Sequence, residues 1–390
     1  MRKLIVAVVL AAVSVVLATA AWGSTKAPQR LAAAGTSLVK CGSTRTIGFM
    51  VPATGPAASI GVQQVHWANF FVKTYNKSHK KKIRLKLEDT MLGAPTGTAE
   101  ALKGAQALAS DPSVLAVAGP AGSNEIIAVT KSLKSAGLAW ISGSSTKTTL
   151  TTDGTRTGYM FRTVPPDAVQ GTTASNYILH VLRYKRVYII DDQEAYSTGL
   201  ADTVQAKLKA AGVKVTRDGV SQQQSDFSSL IAKIPRNTQL VYIPWQLVPK
   251  GQAFGQQMKA SGRGGIKLMG SDGLYDSAFA SVGKNVYDTN FPLNPSSGII
   301  ASFRKSHSTG EYFGAPTYAA VQVAATAITK ACAKGSTTRA KVRAAIQRTR
   351  IPASASLLGV ALRFNHNGDL ATLHKFGLYK SNGSQFLPIG

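Results

Sequence analysis

Three short segments of this sequence place polar side chains directly after an apolar, strand-like run, where the carboxyl end of a sheet would present them. Val117-Ala118 leads into Gly119-Pro120-Ala121-Gly122-Ser123, Trp140-Ile141-Ser142 into Gly143-Ser144-Ser145-Thr146, and Leu268-Met269 into Gly270-Ser271-Asp272-Gly273. Ser123 stands where a strand ends and a helix begins, so its hydroxyl and the amides behind it can hold an anion in the field of a helix N-terminus. The same position also suits a simple N-cap serine. The small residues around Ser144 and Thr146 let backbone amides approach a ligand closely, as they would in any polar loop. Asp272 offers negative charge at the sheet end where open α/β folds bind ligands, although aspartate also stabilises such turns locally. Tyr196, beyond the apolar run Val187–Ile190, adds a hydroxyl.

Nothing in the sequence organises a reaction. There is no Gly-x-Ser-x-Gly elbow, His-Glu-x-x-His or phosphate-binding loop, and only 18 residues are acidic. His66, His79, His180, His307, His366 and His374 are scattered, with no Cys-x-x-Cys, so neither a metal nor another cofactor is expected. A binding protein is expected rather than an enzyme.

Placing such loops together takes sheets. From Thr46, short apolar runs alternate with amphipathic stretches, the pattern of βα units around a mainly parallel sheet. Strands are expected at Ile47–Val51, Ile83–Leu87, Val114–Ala118 and Leu138–Ile141, with helices over Ile60–Tyr75, Thr98–Ala109 and Glu125–Ala136 between them. After Pro165-Pro166 a second series begins. It has strands at Val187–Ile190, Val213–Thr216, Leu240–Ile243 and Ile266–Met269, and helices over Val169–Leu182, Thr198–Ala211, Phe227–Ile234 and Gly251–Ala260. Two α/β lobes without a dinucleotide-binding glycine fingerprint direct attention to the cleft between them.

Arg2 and Lys3 precede an apolar run, Leu4–Leu17, and small residues to Ala21, which reads as a signal peptide over 1–21. The stretch is only marginally long enough to serve as a membrane anchor instead. Residues 22–44 read as a linker that does not pack. A secreted product is expected, periplasmic or associated with the cell surface or wall. Cys41 and Cys332 are the two cysteines, and in an exported chain they pair or remain as two buried thiols. The net charge of +27 first points to nucleic acid. However, the charge is dispersed, and the dense run His79–Lys82 has no interleaved aromatics, so no nucleic-acid partner is expected. Attraction to anionic cell-wall polymers or lipid headgroups is the secondary expectation.

Several segments, in order, resemble the branched-chain amino-acid-binding proteins of ATP-driven (ABC) importers, which have the type I periplasmic binding protein fold. They are Ile47-Gly48-Phe49 with Thr54-Gly55-Pro56, the segment Val117–Ser123, Gly137–Thr146, Arg186–Asp192 with Tyr196-Ser197-Thr198-Gly199, Leu268–Gly273 and Phe364–Asp369. The resemblance implies two doubly wound parallel-sheet lobes joined by a three-crossover hinge. Lobe 1 would comprise 45–165 and 292–370, and lobe 2 would comprise 166–291 and 371–390. It implies capture of a small amino acid or amino-acid-like molecule in the cleft by a monomer that delivers it to an ABC permease. The same fold also serves as a sensing domain, for amides or urea-like molecules, that regulates a partner. Carried onto this chain, the ligand set is Ser123, Ser144, Thr146, Tyr196, Gln246 and Asp272. Asp272 stands where the family has glutamate, and Gln246 and Ile60 stand where it often has aromatics. A Cys41–Cys332 disulfide would tie the start of lobe 1 to a late helix around Thr317–Ala331.

Overall fold

A computed structural model of the chain describes residues 35–292, 298–305, 311–372 and 375–389. The expected signal peptide and most of the expected linker lie outside them. Among the described residues no helix is long and apolar enough to cross a membrane.

The chain enters through a two-residue strand, β1 (Val39–Lys40), and then alternates strand and helix. The first series is β2 (Thr44–Val51), α1 (Ala58–Ser78), β3 (Lys82–Asp89), α2 (Ala99–Ser110), β4 (Val114–Ala118), α3 (Ser123–Ser135), β5 (Trp140–Ser142), the single turn α4 (Thr149–Thr152) and β6 (Met160–Arg162). These strands form a parallel five-stranded sheet in the order β3-β2-β4-β5-β6. All five residues of β4, Val-Leu-Ala-Val-Ala, are buried, as expected of a parallel strand covered by helices on both faces. On α1, Ile60, Gln64, Trp67, Ala68 and Phe71 recur at three- and four-residue spacing and turn one stripe inward.

The second series is α5 (Asp167–Asn176), which runs on into a π-helical turn Tyr177–Leu182, then β7 (Arg186–Asp191), α6 (Ala195–Ala210), β8 (Lys214–Gly219), α7 (Ser228–Lys233), β9 (Leu240–Tyr242), α8 (Val248–Ala260), β10 (Lys267–Met269), α9 (Ser277–Ala280) and β11 (Val286–Asn290). The chain then returns to the first lobe as α10 (Gly298–Arg304), α11 (Glu311–Ala331), β12 (Ser336–Thr337) and α12 (Arg339–Gln347), and ends with β13 (Gly377–Ser381) and β14 (Phe386–Pro388) on the second sheet. That sheet runs β14-β13-β11-β10-β9-β7-β8, parallel from β8 to β11, with two antiparallel strands added at the edge.

Each lobe has cores on both faces of its sheet. In the first, Trp67 stacks on Phe303 at 3.8 Å between centroids, beside the buried Ala319–Val321 stretch of α11. In the second, Trp245 packs between Phe227 and Phe254, and its indole nitrogen donates to the Ile190 carbonyl at 2.7 Å. A smaller cluster (Ile60, Leu92, Leu247, Phe291, Phe313 and Phe376, among others) joins elements of both lobes at the cleft.

Several expectations need correction. Residues 39–44, expected to lie in an unpacked linker, are fixed: β1 pairs antiparallel with β12, and the expected Cys41–Cys332 disulfide is formed, with Cα atoms 5.8 Å apart. The cystine closes a loop of 291 residues, a constraint worth about 5–6 kcal/mol by chain-entropy reasoning. The helix expected over Val169–Leu182 begins at Asp167, on the residue after Pro166, and leaves α-geometry at Tyr177. The strand expected at Leu138–Ile141 is shifted to Trp140–Ser142, because Leu138 closes the helix end by donating its amide to Leu133 O.

Candidate functional site

The first wall of the cleft is made by loops leaving β4 and β5. Gly119 turns the chain at φ +100°, and a Cβ there would lie 2.0 Å from the Met50 carbonyl oxygen, so only glycine lets β4 bend toward α3 this close to β2. The helix then starts at Ser123. Glu125 reaches back to accept from the Gly122 amide at 2.8 Å, and burial pushes its carboxyl up to about 7, which suppresses its charge at and below neutral pH. Ser123 is 1% exposed, and its Oγ accepts from the Lys147 amide at 3.3 Å, leaving its proton for a ligand together with the Ser123 and Asn124 amides, the Glu125 amide being taken by Asn124 Oδ1 at 3.0 Å.

The β5 loop is wrapped by its own hydroxyls. Ser142 Oγ accepts from the Ser144 and Ser145 amides, while Ser144 and Ser145 donate to the Ala121 carbonyl at 2.9 and 2.8 Å. Below the loop, the fully buried Arg162 donates to the Thr146 and Lys147 carbonyls at 3.0 and 2.9 Å and to Asp369 at 2.5 Å. The late turn Asn365–Asp369 thereby holds the site loop from behind.

The second wall comes from the segments after β7 and β10. Gly273 lets the turn after β10 lie against the segment after β9: a Cβ there would meet the Trp245 carbonyl oxygen at 2.5 Å. Tyr196, 5% exposed, donates its hydroxyl to Asp272 Oδ1 at 2.6 Å and lies 2.6 Å from the Ser271 hydroxyl. Burial raises the Asp272 carboxyl to about 6 against the lowering effect of Tyr196. Asp167, first in α5, is 1% exposed, and neither of its carboxylate oxygens has a hydrogen-bond partner. Burial, with the adjacent Asp272 charge, pushes it up to about 8.

Ser123, Ser144, Tyr196, Gln246 and Asp272 all line one small cavity between the lobes. Ile60, Leu92 and Phe313 give it an apolar side. Its volume is about 20 Å3, near the roughly 10–15 Å3 that a water needs, so a larger guest requires the lobes to part. Cross-cleft contacts hold them together: Asn124 to Glu194 at 2.8 Å, and Lys147 to the Ala195 carbonyl at 2.9 Å. Thr146 is the expected site residue that the structure does not place on this cavity. Its buried hydroxyl has no hydrogen bond of good geometry, but it lies close enough to Asp167 to lower that carboxyl somewhat. Two further features escaped the sequence reading. Asp167 reads as an ordinary acid in a first helical turn, and Phe313 comes from α11, far along the chain. Among the described residues no cluster of three His, Cys, Asp or Glu side chains could hold a metal.

A family model described as periplasmic binding protein matches residues 44–377. This chain belongs to that family. Among curated relatives, the Leu/Ile/Val-binding protein BraC3 of Rhizobium johnstonii is 29% identical over 349 residues, covering 86% of this chain and 91% of the relative. An amino acid binding protein of Pseudomonas aeruginosa is 29% identical over 296 residues, 72% of this chain and 77% of the relative. Solved structures share the fold. The branched-chain amino acid transporter substrate-binding protein LivJ of Streptococcus pneumoniae, in complex with isoleucine, matches with a TM-score of 0.74 at 21% identity, over 89% of this chain and all of that one. The leucine-binding protein LivK of Thermotoga maritima gives 0.77 at 20%, over 89% and 98%. An ABC transporter solute-binding protein of R. palustris, in complex with benzoate, gives 0.75 at 16%, over 89% and 96%. As a member of the periplasmic binding protein family, the chain is an extracytoplasmic solute-binding protein and not an enzyme.

Proposed function

We propose that the protein captures a free amino acid, or a molecule with the same paired charges, in the inter-lobe cavity and hands it to an ABC permease. The carrying observation is the cavity itself, where Ser123 and the start of α3 face Asp272 and Tyr196 across the cleft. The α-carboxylate takes the Ser123 hydroxyl and the first amides of α3. The ammonium takes Asp272, with Tyr196 fixing that carboxylate and Asp167 behind it. Ile60, Leu92 and Phe313 take an apolar side chain. Ser144 contributes position more than its proton, which already serves the Ala121 carbonyl. Gln246, whose buried Nε2 has no partner, adds a donor to the lobe 2 side, and Thr146 acts through Asp167.

The named relatives bind amino acids, which supports the reading. The benzoate-bound neighbour shows that this fold also takes a carboxylate without an ammonium. In the present cavity such a guest would leave the Asp272 carboxylate uncompensated, so the zwitterion is favoured. The protein works as a monomer with lobe 1 over 45–165 and 292–370 and lobe 2 over 166–291 and 371–390, and its positive charge draws it to anionic wall or lipid surfaces. A thermal-shift screen of amino acids, small amides and aromatic acids tests the ligand class. A guest at 100 times its dissociation constant stabilises by about 2.7 kcal/mol. An amino acid should produce that shift, and a shift with acids or amides alone would reject the reading.

A further inference from the structure

The charges of an amino acid do not use every polar side chain on the cleft cavity. Ser123 and the start of α3 take the carboxylate, and Asp272 takes the ammonium. Tyr196 already donates to Asp272 at 2.6 Å. Ser144 donates to the Ala121 carbonyl at 2.9 Å and accepts from Gln64 Nε2 at 3.2 Å. Gln246 is left. It lines the cavity, is 4% exposed, and its Nε2 is buried with no hydrogen-bond partner. A buried amide donor left unpaired is costly, and an ammonium cannot pair it because it carries no acceptor.

The neighbours of Gln246 fix where its side chain can act. A Cβ on Gly273 would lie 2.6 Å from Gln246 Cα, so the turn that bears Asp272 packs directly on its backbone. On the other side, Leu247 belongs to the apolar cluster that contains Ile60, Leu92 and Phe313, the three residues forming the apolar side of the cavity. Trp245 before it is anchored to the Ile190 carbonyl. Gln246 therefore stands on the wall between the ammonium position and the apolar side, along the path that the side chain of a bound amino acid follows. Among the described residues no lysine, arginine or histidine lines the cavity.

We propose that Gln246 selects an amino acid whose side chain ends in a carboxamide. The inference rests on the amino-acid reading of the cavity and adds a polar end to its apolar side. The methylenes of the guest lie against Ile60, Leu92 and Phe313, and its amide meets that of Gln246, each donating to and accepting from the other. A half-turn of the Gln246 amide exchanges its nitrogen and oxygen, and a carboxamide guest pairs with either arrangement. Other side chains fit less well. An aliphatic one leaves the Gln246 amide unpaired, and an ammonium offers its Nε2 no acceptor. A carboxylate would bring a second negative charge beside Asp272 into a cavity without a cation.

Calorimetric titration of the wild-type protein with glutamine, asparagine, glutamate, lysine, leucine and methionine tests the selection. Glutamine or asparagine should bind roughly a hundredfold or more tighter than leucine and methionine, because a site built to hydrogen-bond a group rejects the analogue that lacks it. Gln246→Met keeps a side chain of similar length and removes both polar atoms. It should weaken binding of the preferred carboxamide by roughly tenfold or more and bring leucine or methionine level with it or ahead. Because two ligands are compared on one variant, the ratio does not depend on how much of that variant folds. A wild-type preference for leucine, methionine, lysine or glutamate would overturn the inference and leave amino-acid capture standing, whereas binding of none of the six would remove the reading beneath it as well. Retention of the wild-type preference by Gln246→Met would also overturn the inference.

Discussion

The loops after β4 and β5 leave parallel strands in the same manner as those after β7 and β10, yet the two sets present opposite chemistry to one cavity. The first wall is neutral and donating, with Ser123, a hydroxyl-wrapped loop and a helix start whose one nearby acid, Glu125, is kept near neutrality by burial. The second is acidic and accepting, with Asp272 and Asp167 buried side by side and Tyr196 donating inward. The lobes also differ in fastening, since the cystine staples the entry of the first lobe to its late helix and the second has none. A zwitterion needs that division, because one wall alone could satisfy only one of its charges.

The largest expected effect concerns fastening. Replacing Cys41 and Cys332 by serine should cost about 5–6 kcal/mol of stability in denaturant unfolding, with ligand affinity unchanged. A change in affinity would show that the staple shapes the cleft as well as the lobe. On the acidic wall, Asp272→Asn should weaken amino-acid binding by roughly 3–5 kcal/mol, two orders of magnitude or more, since it strips a buried ammonium of its partner. On the donating wall, Ser123→Ala should cost less, about 1.5–3 kcal/mol, because the amides of α3 remain. Equal losses at Ser123 and Asp272 in calorimetry would break the asymmetry drawn here.

The smallest and most pH-dependent effect belongs to Asp167. Its folded carboxyl titrates near 8 and that of Asp272 near 6, so the unliganded site holds protons that an ammonium must displace. Affinity should therefore rise from pH 6 to pH 8, with protons released on binding. Stability without ligand should run the other way. An unfolded aspartate ionises near 3.9, so between about pH 4 and pH 8 the native state binds more protons than the unfolded one and loses stability as pH rises. Asp167→Asn should flatten both trends, weakening binding by about tenfold at pH 8 while raising the melting temperature of the unliganded protein there. Titrations in buffers of different ionisation enthalpy read the proton count, and an unchanged count in the variant would remove Asp167 from the site.

The βα rhythm made most of the architecture legible, since strands such as Val114–Ala118 are uniformly apolar and bounded by turn residues, here Pro112-Ser113 and Gly119. The three-residue strands β6 and β14 carry too little pattern to be read, and the departure from α-geometry at Tyr177 has no local breaker. Ser123 and Asp272 could be found because each follows a strand in a small-residue turn, where position fixes exposure to a cleft. Asp167 could not, because only tertiary packing brings it beside Asp272 and leaves both its oxygens unpaired. Thr146 shows the converse. Its loop reaches the site, but Arg162 grips its carbonyl and its side chain turns toward Asp167 rather than onto the cavity.

The division of charge between the walls is tested most directly by measuring, for the amino acid that binds most tightly, the affinity of that molecule, its desamino acid and its decarboxylated amine, against wild type and Asp272→Asn. The account predicts that wild type loses at least about a hundredfold on each truncated analogue, and that Asp272→Asn binds the desamino acid nearly as well as it binds the amino acid. A wild-type protein that holds the desamino acid as tightly as the amino acid would contradict it.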